Sequence, residues 1–474
     1  MPDESLSEHL AGYLAALGFD QIPAEVIQAA KLHILDSLGC LLAGTQLEPG
    51  KLAYDLAVAA SGSAGSNGAA TLFGTDARVA YLDAVQAMSV AAHCGEMDDI
   101  HSGAGTCIGG MIVPALLGMA EKFGGSGGKF LEAAIVGYET TTRVGLAIDA
   151  PSLFARGWWP STVCGAFGVA AAGAKFLSWS TGMTANALGI ASLHTGGMIT
   201  GGNEGATARH LAFGHATQNG VLSLLAAEQG FTGPKRAFED QRGFCLTLCN
   251  EPKWEYLRNS EGFHLPEVAF KPYPCARQLH AGVEALLSLI QQHSITPKMI
   301  EEIELSLPTP NASMVNRPSM ALSRAAILGS GQYVMAATTA RGKMDLSSFE
   351  EEFLGNEQVL SLMRKVKVKA STELDRHFPK YWPGRVSVKL ADGLCVAHEV
   401  IIPKGESGNP MTRDEIEGKF ISLASPVLGE VKARSVIPKV HSLDAHQSLD
   451  SLISVLKLSG KYHPSLSSVS GTAD

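Results

Sequence analysis

Charge is scarce in this chain, and so are the motifs that announce a cofactor. Of 474 residues, 18% are charged and 7% aromatic, against 46% hydrophobic, and the formal net charge is −9. That balance excludes a disordered chain, which cannot bury enough apolar surface to order itself. The lack of a basic excess excludes an electrostatic footprint for nucleic acid. An anionic ligand would need a locally basic pocket, because the overall field repels it. The eight cysteines (40, 94, 107, 164, 245, 249, 275 and 395) form no CxxC pair, and nothing completes a zinc site around Cys245 and Cys249. Scattered thiols fit a reducing, cytoplasmic compartment. No apolar run approaches a membrane span, and the acidic, amphipathic start MPDESLSEHLAGYL is no signal peptide. A Rossmann glycine signature, a nucleophile elbow and a metal triad are missing. The glycine-rich FGGSGGKF at 123–130 lacks the GKS/GKT and the preceding strand of a phosphate loop, and reads as an inter-helix turn. Chemistry without cofactor or metal is the expectation.

What is present is a long helical pattern that changes character once. The length suggests roughly two to three domains. Residues 4–18 read as a short amphipathic helix, and 23–44, opened by Pro23, carry apolar residues at helical spacing. SGSAGSNGAA at 61–70 reads as a flexible connector, and Ala77–Ala92 as a helix whose alanines permit close packing. From 110 to 230, Ala/Gly/Leu-rich helices apolar on every face must be buried among one another. After about 265, alternation of period two sets in at 298–308, 363–370 and 385–402, the last with a turn at Asp392-Gly393. Helical stretches at 275–292 and 323–341 lie between, giving an α+β module with an antiparallel hairpin. Beyond 410 helix resumes behind a capping box of Thr412 and Glu415, and the polar SLSSVSGTAD at the end reads as frayed.

Four stretches carry residue types suited to chemistry. In AAHCGEMDDIHSGAGTC (91–107), Glu96, Asp98 and Asp99 crowd between His93 and His101. Carboxylates so close repel one another and displace a pKa, unless the segment is a solvated loop that caps the next helix. In RGWWPSTVCG (156–165), Trp159 can wall a pocket or fill a core, at a helix entry suited to an anion. Arg209 and His210 stand in an apolar stretch, as a substrate grip or a paired structural group. In FKPYPCARQLH (270–280), a proline-stiffened turn delivers Lys271, Tyr273 and Arg277 before a helix that opens near His280. Lys and Arg hold carboxylates, His and Tyr move protons; the alternative is an interdomain hinge with surface cations. Tyr333 alone reads as a half-buried core tyrosine, and Cys107 as one base of a proton-transferring pair or a small buried hydrophobe. One acidic patch with several basic ones makes a site for a small polycarboxylate.

The same stretches, with HILDSLGCLLAG (33–44), VPALLGMAEKFGGSG (113–127), AIVGYETTTRVG (134–145), SGQYVMA (330–336) and GNPMTRDEIEGKF (408–420), resemble the MmgE/PrpD family along essentially the whole chain. That family includes 2-methylcitrate dehydratase, cis-aconitate decarboxylase and iminodisuccinate epimerase. The resemblance implies a fold mainly α with α+β: an all-helical domain from residues 1–266 and 404–474, and an α+β lid from 267–403. It also implies a homodimer without metal. The family pattern Asp-x-(Asp/Asn)-Asp-Thr reads here Glu96-Met-Asp98-Asp99-Ile100, and the following His pair falls at about Thr106-Cys107. Gly-Trp-His-Pro has become Gly-Trp-Trp159-Pro, and Lys-x-x-His retains neither residue, with Arg209 and Ala212 in their places. Lys271, Tyr273, Arg277, His280 and Tyr333 match. The anion-gripping half is thus kept while proton carriers are replaced, since Arg cannot shuttle protons at neutral pH.

The expectation is a cytoplasmic lyase, of dehydratase or decarboxylase type, acting on a small di- or tricarboxylic acid. Lys271, His280, Tyr333, Glu96, Asp98 and Cys107 are its expected catalytic groups. Arg209, Arg277, Tyr273, Trp159, Asp99, His101 and His210 are its expected substrate-binding groups. An epimerase or isomerase that removes and returns a proton is the alternative, and a catalytically degenerate binding scaffold is another.

Overall fold

The computed structural model describes residues 5–61, 69–318, 323–458 and 462. Most of the 61–70 connector and the 465–474 tail lie outside the described residues. The architecture is mainly α with one α+β region. Its first helix, Leu6–Ala16, starts where Ser5 and Glu8 close a capping box, and the second, Ala24–Gly44, starts directly behind Pro23. By length and composition Ala24–Gly44 could cross a membrane; here it lies mostly buried in the protein's core. Around it pack Tyr81–Cys94, Gly109–Phe123 and Gly127–Ala147, and on these in turn Pro160–Phe176 and Arg209–Glu228, the apolar helices of the pattern. The helix expected over 77–92 begins only at Tyr81, because Arg78–Ala80 pairs as a strand with Ala69–Thr71. FGGSGGKF is a turn whose Ser126 caps the next helix.

The α+β region holds a four-stranded sheet in the order Val366–Ala370, Ile300–Leu307, Gly384–Leu390, Cys395–Val400. The last two form the antiparallel hairpin through Asp392-Gly393, but the first pair is parallel, so the sheet is mixed. Inward Ile303, Leu305, Val386 and Val388 are buried, packed with the helices His280–His293 and Gly331–Arg341. Outward residues form ion pairs, among them Lys389–Glu301 and Lys369–Glu304. The helix expected over 275–292 opens with a 3₁₀ turn at Arg277–Leu279, and that over 323–341 is split into Arg324–Ile327 and Gly331–Arg341. Helices as short as Thr309–Val315 and Glu357–Met363 complete less than two turns each, too little for a period to register.

Buried apolar side chains fall into two large clusters. One joins residues 6–269 with Trp382 and 420–456; the other spans 275–400. The helix Arg413–Leu428 therefore packs on Ala24–Gly44, hundreds of residues away in sequence. At that contact Lys419 pairs with the fully buried Asp36 at 2.6 Å and donates to the Met97 carbonyl at 2.6 Å, which fastens the 95–99 loop from behind. Removing one partner of a buried pair strands a charge, whereas replacing both with apolar groups costs far less. Lys419→Met is expected to destabilise the protein by about 3–5 kcal/mol, and Asp36→Leu/Lys419→Met to regain most of that, as read from urea unfolding midpoints.

Candidate active site

The helix Tyr81–Cys94 ends at Gly95, and the chain must turn before a two-residue strand, Ile100–His101, pairs with Thr106–Cys107. The turn is made by Glu96, which takes φ 53°, a left-handed conformation uncommon for a non-glycine residue. This aims its carboxylate inward between two cations. Arg209 Nη2 lies 2.5 Å from Oε1, and Lys271 Nζ lies 3.4 Å from Oε2. Lys271 also lies 3.4 Å from Asp98 Oδ1 and 3.6 Å from Cys107 Sγ. Asp98 in turn binds His93 Nδ1 at 2.8 Å, and the imidazole stacks on Phe213 with ring centres 4.0 Å apart. The His93 Nε2 is left without a hydrogen-bond partner among the described residues, 3.8 Å from Glu96.

Charge states follow from this packing. Burial works against the Glu96 anion, but Arg209 and Lys271 outweigh it and hold the carboxyl well below the usual carboxylate range. Burial likewise opposes the ammonium of Lys271, yet the Cys107 sulfur, Asp98 and Glu96 around it raise its pKa. Burial, reinforced by Asp98, pushes the Cys107 thiol well above its ordinary value. At neutral pH the cluster is a carboxylate and a protonated thiol, each in contact with the Lys271 ammonium.

These groups line a cavity enclosing about 660 Å³, its mouth included, between the helical body and the sheet region. Glu96, Cys107, Trp159, Arg209, Lys271 and Arg277, all expected from the sequence, meet there, together with His93, Gln278 and Arg317. Trp159 lies under the Arg209 guanidinium, 5.1 Å from its ring centre, so the two residues support each other by a cation–π contact. Arg277 reaches the cavity with one nitrogen 2.7 Å from Glu406, a carboxylate that Ser102 also binds at 2.7 Å.

Seven other expected site residues lie elsewhere. Asp98 stands behind the wall, touching the cavity only through Lys271 and His93. Asp99 is wholly buried and fully engaged: His33 at 2.8 Å, Tyr138 at 2.5 Å and the Gly109 amide at 2.8 Å. His101 faces Glu267 at 3.2 Å and accepts from the Ala104 amide. His210 is buried behind Arg209, and burial lowers its pKa, so it stays neutral. His280 is buried between Arg277 and the Cys275 carbonyl, with Tyr273 against its ring. The Tyr333 hydroxyl donates to the Ser348 carbonyl inside the sheet region's core. Arg317 and Glu406 are not foreshadowed by the sequence, because nothing in their local pattern marks them.

Among the described residues, two groups present metal-ligand atoms within 4.8 Å of one another: His93, Asp98 and Cys107, and His101, His264 and Glu267. In the first, the Lys271 ammonium already serves as the cation. In the second, the Ala104 N–H occupies His101 Nδ1, which directs the ring's own N–H at Glu267 and leaves that nitrogen no lone pair for a metal. Neither set fits a metal centre.

Over 95% of this chain and 96% of its own length, cis-aconitate decarboxylase of Aspergillus terreus is 27% identical. The human cis-aconitate decarboxylase is 28% identical over 96% of this chain and 95% of its own length, and the cis-aconitate decarboxylase-like protein oryM of Aspergillus oryzae 28% over 96% and 98%. Residues 8–257 match the model of the MmgE/PrpD N-terminal domain and residues 273–444 that of the C-terminal domain. Matches in this order over nearly the whole length leave one conclusion: the chain belongs to the MmgE/PrpD family.

Proposed function

We propose that this MmgE/PrpD enzyme is a lyase that removes one carboxyl group, as carbon dioxide, from a small unsaturated tricarboxylic acid of the cis-aconitate kind. The observation that carries the reading is the convergence of Arg209, Lys271, Arg277 and Arg317 on one buried cavity, with the protonated thiol of Cys107 3.6 Å from the Lys271 ammonium. Arg209, Lys271, Arg277 and Arg317 all line this enclosure, which suits a ligand that brings negative charge of its own.

The reaction balances without outside reagents other than water. The bond between the departing carboxylate and the carbon frame breaks, and its electron pair spreads through the neighbouring double bond to another carboxylate. Preorganised cations stabilise that developing charge most where water is excluded. A new C–H bond then forms with the proton of Cys107, whose thiolate faces the Lys271 ammonium and is reprotonated from water. Epimerisation would need Cys107 as a thiolate base in the resting state, which its burial beside Asp98 opposes. Relatives that carry the name cis-aconitate decarboxylase support the choice of substrate.

We also propose a homodimer and a cytoplasmic location. Leu193, Met198 and Phe231, each 66–69% exposed, offer apolar surface for a partner copy, and the described cysteines are all free thiols. A monomeric mass by light scattering would discard the dimer.

Incubation with cis-aconitate in deuterated water is expected to release carbon dioxide and leave a dicarboxylic acid carrying one deuterium on carbon. An acid that exchanges deuterium while keeping all its carbons would replace the lyase with an epimerase. Cys107→Ala is expected to lower kcat by about a hundredfold or more with KM little changed. Lys271→Ala should lower kcat/KM by about a hundredfold to a thousandfold; unchanged values in a folded variant would remove Lys271 from the mechanism.

The pH profile tests the charge states separately. Glu96, depressed, is ionised above about pH 4.5; Lys271, raised, stays charged up to about pH 10.5; Cys107, raised, stays protonated past about pH 9. No alkaline fall in kcat/KM is therefore expected between pH 7 and 9. A limb near pH 8.5 that Cys107→Ser abolishes would mean the thiol titrates normally, against this account.

A further inference from the structure

We infer that the natural substrate carries an apolar substituent, an alkyl chain on the polycarboxylate frame, and that this chain lodges in a second chamber opening off the acid-binding cavity. The inference rests on the reading above, in that the acid end is held by the cations already described. The second chamber encloses about 1080 Å³, its mouth included, against about 660 Å³ for the first. Gly105, Phe154, Gln278, Met314 and Trp382 border both, so the two spaces share a wall rather than lying apart. Gly105 holds φ 61° at that border, and a Cβ there would come within 2.9 Å of the Phe154 ring, so glycine is required where the chambers meet.

The chemistry of the two spaces differs sharply. Four cations line or border the first, whereas among the described residues no charged side chain lines the second. Away from the shared wall Pro151, Ala155, Pro310 and Phe378 alternate with short uncharged polar side chains such as Ser102 and Thr309. A small tricarboxylate gains nothing from such a surface, since burying its charges there without partners is unfavourable. An alkyl chain gains from its apolar part. Two buried donors add a second, independent observation. Trp382, 3% exposed, and Asn311, 1% exposed, both border this chamber, and neither the indole Nε1 nor the Asn311 Nδ2 has a hydrogen-bond partner among the described residues. Buried polar groups are almost always satisfied, so orphans at a chamber wall mark a place where a ligand completes the structure. An acceptor atom near the root of the chain, a carboxylate oxygen or a hydroxyl, would serve.

The test uses unreactive probes on the whole protein: succinate and its methyl-, butyl-, hexyl- and octyl-substituted forms, titrated calorimetrically. Each added methylene that enters the chamber is expected to tighten Kd by about fourfold. In Ala155→Trp and in Ser313→Trp, each shown to melt cooperatively, the octyl-to-methyl ratio of Kd is expected to collapse towards one. A flat series in the unaltered protein, or an equally steep one in both variants, overturns the inference. Decarboxylation of cis-aconitate with a flat series would overturn this inference alone. A steep series without carbon dioxide from any alkylated or plain substrate would sustain the apolar chamber and overturn the decarboxylase reading. No binding of any probe would overturn the chamber.

Discussion

One buried carboxylate organises this site. Glu96 is gripped by Arg209 from the helix Arg209–Glu228 and by Lys271 from the turn that enters the sheet region, so its two oxygens link parts of the chain more than a hundred residues apart. Burying three ionised groups is expensive, and a pair of this kind is weak grounds for stability. Its persistence, on a backbone held at φ 53°, makes sense if the charges are wanted for a ligand.

The departures from the family pattern turn out to be physically coupled. Arg209 and Trp159, in place of Lys and His, are in contact, the guanidinium over the indole, and the same guanidinium closes on Glu96. A planar, permanently charged group suits a stacked and forked arrangement that an ammonium would not fill. Arg209 can hold charge but cannot release a proton at neutral pH; the titratable groups on the same wall are Cys107, Lys271 and His93, whose Nε2 carries no partner among the described residues. Asp98 sets the orientation of two of these at once, His93 through Nδ1 and Lys271 through Nζ.

Much of the fold was legible because it rests on local rules. Ser5 with Glu8 and Thr412 with Glu415 cap helices through contacts three residues long, and Asp392-Gly393 turns a hairpin between strands that alternate visibly. The site was legible where a motif is itself local, as in Glu96 to Cys107 and Lys271 to Arg277. It was not where the partner is distant and its own surroundings are ordinary. Glu406 meets Ser102 across some three hundred residues, Lys419 meets Asp36 across more, and Arg317 sits in a stretch without period or motif. Residue type also misled: His280 and Tyr333 are chemically able to move protons, but each spends its polar atoms on nearby groups, the Cys275 and Ser348 carbonyls among them, and neither borders the cavity. Nothing in a sequence distinguishes a histidine that faces a ligand from one that faces a backbone oxygen.

The two passages of the chain between the helical body and the sheet region run side by side, and this ties the site to the geometry of the whole molecule. The Phe270 amide donates to the Gly405 carbonyl at 3.1 Å, and Gly405 takes φ 97° with its Cα so close that a Cβ would fall 2.1 Å from the Phe270 oxygen. Only glycine permits that approach. The residue after each member of this contact is a site residue: Lys271 on one passage, and on the other Glu406, which orients Arg277. A rigid crossing thus sits one peptide from the cation that faces Cys107 and one from the anion that holds Arg277. Because Arg277, Gln278 and Arg317 come from the sheet side while His93, Trp159 and Arg209 come from the helical side, the cavity exists only when the two are docked.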